Sequence, residues 1–264
     1  MSIPDLPPPK KRLGQNFLID PNIVRKIVAL AELDFSDHVL EIGPGRGVLT
    51  EALCHAAGCV TAVEVDPLLH AYLEIRQAEL PNVKLVCADA LTYPLESLPM
   101  GTVVVANLPY YISTPLLFRL LDQRGRFPRM VLMLQAEVAD RLVAKPDGPD
   151  YGVLSVMAQY AADITKSFRV SAQCFRPRPE VASAVVLLRT KERTGLNQQE
   201  EVAFRALVKA AFAHRRKTLV NSLRDEGYEL HRVAATLQRL DIAPTRRAET
   251  LSVENFLRLV LALG

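Results

Sequence analysis

The chain has few cysteines, and none of them lies in a motif that binds metal. The four are Cys54, Cys59, Cys87 and Cys174. They form no Cys-x-x-Cys pair and no zinc-binding spacing, so we expect no metal site. Cys54 and Cys87 lie in apolar contexts and are interpreted as buried free thiols, which favours a reducing compartment.

The chain also lacks a long apolar run and an N-terminal targeting segment. No apolar stretch approaches the length of a transmembrane helix. The N-terminus is proline-rich and basic, whereas a secretory signal needs an apolar core. We therefore predict a cytoplasmic protein that makes no membrane contact.

Neither sign of charge dominates. The 32 basic and 29 acidic side chains leave a formal net charge of +3, with an isoelectric point of about 8.7. This balance permits a nucleic-acid partner without requiring one. With 264 residues, of which 49% are hydrophobic, the chain suits one α/β domain with a small appendage.

A glycine-rich turn follows the first predicted strand of the sheet. Residues 38–42 predict this strand, which runs into Gly43-Pro44-Gly45-Arg46-Gly47 before a helix begins. Such a turn is typical of nucleotide-binding Rossmann-like sheets. Its spacing differs from the dinucleotide fingerprint, which disfavours a nicotinamide-dependent oxidoreductase without excluding one. Glu41, inside the strand, needs hydrogen-bond partners if buried, and we expect the loop amides to supply them.

Polar side chains end the next predicted strands. Glu64 follows Gly43 by 21 residues, a spacing at which an acid accepts hydrogen bonds from ribose hydroxyls. Asp89, followed by Ala90, comes after the third strand and could accept from an adenine amino group. Because parallel strands present their carboxyl ends on one edge, these residues predict a nucleoside site. Asp66 is interpreted instead as the N-cap of the following helix.

The fourth strand, residues 103–107, ends in Asn107-Leu108-Pro109-Tyr110. The side-chain oxygen of Asn107 and the carbonyl of Leu108 can accept hydrogen bonds from an exocyclic amine. Pro109 restricts Leu108 to extended conformations and so fixes that carbonyl. Tyr110 offers a face on which a base can stack. The alternative is an ordinary turn after a strand.

Two basic clusters are candidate phosphate contacts: Lys10-Lys11-Arg12 and Arg215-Arg216-Lys217. The alternatives are a solvated N-terminal end and a solvated helix end. Residues 193–264 carry 12 Lys and Arg against 8 Asp and Glu, and their apolar pattern is helical throughout.

Three divisions and a fold class follow from these patterns. We predict a flexible basic tail over residues 1–12, a candidate catalytic domain over 13–192, which carries the nucleoside site, and a helical, candidate nucleic-acid-binding domain over 193–264. The catalytic domain is predicted to be a Rossmann-like α/β sheet of seven strands. The last strand is expected to be antiparallel, because no helix separates residues 164–170 from 181–189.

Seven segments together resemble the S-adenosylmethionine-dependent rRNA adenine N6-dimethyltransferases. They are Gln15-Asn16-Phe17-Leu18, Glu41 to Gly47, Glu64, Asp89-Ala90, Asn107 to Tyr110, Phe175 to Val181, and Ala211 to Leu219. The likeness runs in order along nearly the whole chain, although the proline-rich first nine residues lie outside it. It favours the small-subunit branch, because the large-subunit branch usually has Asn-Ile-Pro-Tyr at the catalytic position.

The resemblance implies S-adenosylmethionine as cofactor and dimethylation of two adjacent adenosines in a hairpin near the 3′ end of 16S rRNA. It implies that Asn16 and Leu18 contact the methionine part, Gly43 lies under the cofactor, and Asn107 closes the site. Phe17 and Phe175 are further candidates for stacking on the base; alternatively, Phe175 packs beneath its loop. We expect a monomer that binds the small ribosomal subunit. A non-catalytic assembly factor, a 23S rRNA enzyme and a DNA adenine methyltransferase are the alternatives.

Overall fold

The computed structural model describes residues 7–10, 13–76, 80–191 and 195–264. The strands are β1 (Phe17–Leu18), β2 (His38–Ile42), β3 (Cys59–Glu64), β4 (Val83–Cys87), β5 (Val103–Asn107), β6 (Arg129–Gln135), β7 (Ala162–Val170), β8 (Phe175–Arg176) and β9 (Ser183–Thr190). The α-helices are α1 (Pro21–Ala31), α2 (Val48–Cys54), α3 (Pro67–Arg76), α4 (Ser113–Asp122), α5 (Ala136–Val143), α6 (Val153–Ala161), α7 (Gln198–Phe212), α8 (Leu219–Asp225), α9 (Leu230–Arg239) and α10 (Val253–Leu263).

Seven strands form one sheet in the order β4-β3-β2-β5-β6-β9-β7. The pairs from β4 to β6 are parallel, and β9 runs antiparallel to both of its neighbours. This confirms the predicted Rossmann-like sheet with an antiparallel last strand. Chain order reverses between β2 and β5, and in such sheets a crevice opens at the carboxyl ends of the two strands flanking that point.

The central strands are apolar because helices cover both faces of a parallel sheet. In β5, Val103 to Ala106 are at most 1% exposed. Helix α1 packs Ile23, Val24 and Ile27 into the same core. The short strands β1 and β8 pair antiparallel outside the main sheet, so the chain just before α1 is held in place by backbone hydrogen bonds.

The chain divides into two compact units, Met1–Ala139 with Ala162–Glu192 and Asp140–Ala161 with Arg193–Gly264. The division near residue 192 lies where the composition becomes polar. Residues 140–161, however, group with the C-terminal helices rather than with the sheet, which differs from the predicted range 13–192. The reason is packing within the second unit, where the ring of Tyr160 in α6 lies 4.5 Å from the Phe204 ring of α7.

One cysteine differs from expectation. Cys54 is buried, and burial raises the pKa of its thiol to about 12. Cys87, predicted to be buried, is exposed, because β4 is an edge strand that is covered less completely than the strands inside the sheet. In the part of the chain that the structure describes, no helix is both long and apolar enough to cross a membrane.

Candidate active site

A cleft of about 960 Å³, including the space at its mouth, lies at the carboxyl ends of β2, β3 and β5. Every predicted cofactor-binding and catalytic residue lines it: Asn16, Leu18, Gly43, Gly45, Glu64, Asp89, Ala90, Asn107, Leu108, Pro109 and Tyr110. The structure thus brings together side chains that lie as far as 94 positions apart in the sequence.

The glycine loop approaches the cleft closely. Gly45 has a φ of +58°, and a Cβ at this position would lie 2.9 Å from the Phe17 ring. A residue with a side chain would therefore be strained and would displace Phe17. The loop leaves its backbone available to a ligand in the cleft, which is the use that nucleotide-binding sheets make of such glycines.

Glu64 holds the loop from the end of β3. Its carboxylate accepts hydrogen bonds from the backbone N–H groups of Gly45, at 3.1 Å, and Asp66, at 2.9 Å. Burial raises the pKa of Glu64, and these two amides partly offset that effect. Glu64 therefore combines the predicted position for ribose with a role in fixing the loop.

Glu41 does not bind the loop amides, contrary to prediction. It is 1% exposed, and its Oε2 has no hydrogen-bond partner among the described residues. Burial raises the pKa of Glu41 to about 8. The prediction was wrong because the loop turns its Gly45 amide toward the neighbouring strand, where Glu64 accepts it.

The backbone of Asn16, just before β1, orients the Asn107 amide. Its Nδ2 donates to the backbone oxygen of Asn16 at 3.3 Å, so Oδ1 remains as the acceptor. The next residue is fixed as well, because Leu108 N–H donates to Met133 O of β6 at 3.1 Å. Pro109 packs near Gly43.

Tyr110 is anchored at its polar end. Its hydroxyl shares a 2.7 Å hydrogen bond with Ser183 Oγ of β9, and burial raises the pKa of the phenol. The ring is half-buried in the wall of the cleft. The anchored hydroxyl fixes the direction in which the ring lies.

Of the two phenylalanines proposed to stack on a base, only Phe17 lies in the cleft. The Arg46 guanidinium covers one face of its ring at 4.4 Å. Phe175 is fully buried in the hydrophobic core and does not line the cleft. The structure supports the alternative that Phe175 packs beneath its loop, since Phe175 pairs with Leu18 through β8 and its side chain lies in the hydrophobic core.

The N-terminal basic cluster is only partly described, and its described member is engaged within the protein. Lys10 Nζ binds the Asp66 carboxylate at 2.6 Å. This ion pair does not fit the predicted contact of Lys10 with RNA phosphate. Lys11 and Arg12, predicted to make the same kind of contact, lie outside the described residues.

The C-terminal basic cluster divides into engaged and exposed members. Lys217 pairs with Asp225. Arg215 and Arg216 are exposed, and no ion pair between described residues includes them. These two arginines therefore remain the candidates for contact with phosphate.

Arg46 and Tyr111 are among the cleft residues that sequence reasoning did not assign to the site. Arg46 packs on Phe17 and donates to the backbone oxygen of Pro7 at 3.4 Å. Tyr111 is half-exposed in the cleft wall beside Gly14. Both stand next to residues that the motifs singled out, but adjacency in sequence does not indicate which way a side chain points.

Open α/β sheets bind their ligands in the crevice at the carboxyl ends of the strands, and the polar strand ends around this cleft place the protein among the Rossmann-like α/β proteins. The family model described as "Ribosomal RNA adenine dimethylase" matches residues 9–263. The chain belongs to this family and is an rRNA adenine dimethyltransferase.

Relatives and solved structures agree with this assignment. The "Ribosomal RNA small subunit methyltransferase A" of Moorella thermoacetica is 45% identical over 259 residues, covering 94% of this chain and 90% of that protein. A dimethyladenosine transferase from Plasmodium falciparum has a TM-score of 0.83 at 29% identity, covering 93% of this chain and 96% of that one. The 23S rRNA methyltransferase ErmE has a TM-score of 0.73 at 29% identity, covering 94% and 99%.

Proposed function

We propose that the chain transfers methyl groups from S-adenosylmethionine to the N6 atoms of two adjacent adenosines in a hairpin near the 3′ end of 16S rRNA. The small-subunit assignment draws on the name of the 45% identical relative and on the Asn107-Leu108-Pro109-Tyr110 sequence. The observation that carries the chemistry is the oriented Asn107 amide, whose nitrogen is bound to Asn16 O.

The cleft fits S-adenosylmethionine. Asn16 and Leu18 line it beside the glycine loop, where the methionine part is proposed to bind. Glu64 is proposed to accept hydrogen bonds from ribose hydroxyls, and Asp89 is proposed to accept one from the adenine amino group. Gly45 leaves no room for a side chain beside Phe17, so the loop backbone itself forms that wall.

When bound, S-adenosylmethionine supplies a methyl group on a sulfonium, which is already a strong electrophile. The work left to the chain is to orient a poor nucleophile, because the N6 lone pair of adenine is delocalised into the ring. Before the first transfer, Asn107 Oδ1 and the Leu108 carbonyl are proposed to accept the two N6 hydrogens. This favours a pyramidal nitrogen with its lone pair directed at the methyl group, and positioning supplies most of the acceleration. In each transfer a C–N bond forms as a C–S bond breaks, and one N6 proton is released to solvent.

The base must leave its stack to reach these acceptors. Tyr110 is proposed to stack on it, with its ring fixed by the hydrogen bond to Ser183. Arg215 and Arg216 are proposed to contact rRNA phosphates in the small subunit. We further propose that the chain works as a monomer in the cytoplasm, with a role in ribosome biogenesis.

Transfer of tritiated methyl to small subunits that lack the modification tests this proposal. Modified small subunits and 23S rRNA are the controls, and the labelled nucleoside is identified after digestion. We expect N6,N6-dimethyladenosine on the unmodified small subunits alone. Label on 23S rRNA would overturn the choice of substrate, and binding to small subunits without any label would favour the assembly-factor alternative.

A further inference from the structure

Asp66 is a buried carboxylate at the start of α3. It is 1% exposed, and its Oδ1 accepts from Leu68 N–H at 3.0 Å, as an N-cap does. The carboxylate can accept more hydrogen bonds than the cap uses. Oδ1 also accepts from Lys10 Nζ at 2.6 Å, and Oδ2 accepts from Gln15 Nε2 at 3.0 Å.

These two partners lie in the N-terminal segment, which here means Lys10 and residues 13–18. Lys10 N–H donates to Gln15 Oε1 at 2.7 Å, which fixes the orientation of the Gln15 amide and directs its nitrogen at Asp66. Burial alone would raise the pKa of Asp66, but the hydrogen bonds from Lys10 and Gln15 bring it below its usual value. The carboxylate is therefore charged at neutral pH.

Gln15 itself lines the cleft, so the segment held in this way is part of the cleft wall. Asn16 and Phe17 line the cleft, and Asn16 O receives the hydrogen bond that orients Asn107. On its other side, Asp66 N–H donates to the Glu64 carboxylate at 2.9 Å. Asp66 thus joins the N-terminal wall of the cleft to the end of β3.

We propose that Asp66 is a positioning residue, which acts through Lys10 and Gln15. It holds Asn16 and Phe17 in place in the wall of the cofactor cleft. This inference rests on the proposed function, because it assumes that S-adenosylmethionine binds in the cleft. It assigns no contact between Asp66 and the cofactor.

Asp66→Asn tests the inference with little change in shape. The new amide can keep the helix cap, but its nitrogen would then face Gln15 Nε2, a donor facing a donor. If the amide flips, its nitrogen instead faces Lys10 Nζ and Leu68 N–H, which are also donors. Asp20→Asn is the matched control, because Asp20 caps α1 through Asn22 N–H at 2.8 Å and does not line the cleft.

Calorimetric titration with S-adenosylmethionine is the first readout. We expect Asp66→Asn to weaken binding about tenfold, the effect of losing charge-assisted hydrogen bonds, and Asp20→Asn to leave binding unchanged. In methyl-transfer assays the KM for the cofactor should rise more than kcat falls. A purely structural role would lower the active fraction, and so kcat, without raising KM.

Hydrogen exchange without cofactor is the second readout. We expect faster exchange over residues 13–18 in Asp66→Asn and no change there in Asp20→Asn. If Asp66→Asn fails to fold, Lys10→Met removes the same ion pair from the partly exposed side and should give the same changes in smaller degree. Unchanged binding and exchange would overturn the inference, whereas a wild-type chain that does not bind S-adenosylmethionine would overturn the proposed function instead.

Discussion

The cleft of the first unit and the basic turn of the second unit, residues 213–218, differ in how their polar side chains are held. In the cleft, Glu64 and Asn107 are tied to backbone atoms. In the turn, Arg215 and Arg216 are exposed. Transfer of a methyl group needs a fixed geometry, whereas contact with a phosphate needs charge that can adapt. The difference fits the proposed chemistry in the cleft and the proposed contact of the turn with rRNA phosphates.

The largest effect is expected for Asn107, in the cleft. Asn107→Ala removes a proposed N6 acceptor and the hydrogen bond to Asn16, so single-turnover methyl transfer should fall by at least about 100-fold. Asn22→Ala, on the exposed side of α1, is the control and should retain the wild-type rate. A wild-type rate in Asn107→Ala, with its fold intact, would remove Asn107 from the mechanism.

The buried acid of the cleft should make stability depend on pH. The folded pKa of Glu41, raised to about 8 by burial, lies above its unfolded value. The folded state therefore holds a proton that the unfolded state releases, and stability falls as pH rises between the two values, by up to about 1.4 kcal/mol per pH unit. The charge of Glu64 raises the pKa of Glu41 further, and the charge of Glu41 raises the pKa of the Cys54 thiol.

Glu41→Gln should make this fall less steep in urea unfolding between pH 5 and 8. A fall from Glu64, whose pKa burial also raises, should remain. Asp225→Asn in the second unit is the control. Hydrogen bonds from Lys217 and Arg224 lower the pKa of Asp225 to about 2, so its contribution is lost only as pH falls toward that value, outside the tested window. An equal slope in wild type and Glu41→Gln would show that Glu41 does not carry the proton.

The sequence predicted which strand ends would meet, because alternation of strand and helix places carboxyl ends on one edge. Glu64, Asp89 and Asn107 line the cleft for that reason. It could not predict which acid would hold the glycine loop, since that depends on the direction in which the loop turns. It left open whether Phe175 stacks on a base or packs beneath its loop, and it did not predict the Asp66 partner of Lys10, because both depend on residues far away in the sequence.

Gly45→Ala tests whether the cleft needs the close approach of the Gly45 backbone to the Phe17 ring. The new methyl would lie 2.9 Å from the Phe17 ring at a φ of +58°, so binding of S-adenosylmethionine should weaken by about tenfold or more. Gly101→Ala is a matched control, because Gly101 also has a positive φ, +84°, but no described residue lies within 4 Å of its added Cβ. Equal binding losses in the two variants would assign the effect to backbone strain rather than to Phe17.

The smallest effect is expected in the basic turn. Arg215→Ala with Arg216→Ala should weaken binding to small subunits about fivefold and reduce the slope of log affinity against log salt by about 2, one for each lost phosphate contact. Arg25→Ala with Lys26→Ala removes the same charge from α1 and should leave the slope unchanged. Binding of S-adenosylmethionine should not change in either double variant. If the turn variant lost cofactor binding but kept its salt slope, the division between a fixed chemical region and an adaptable attachment region would fail.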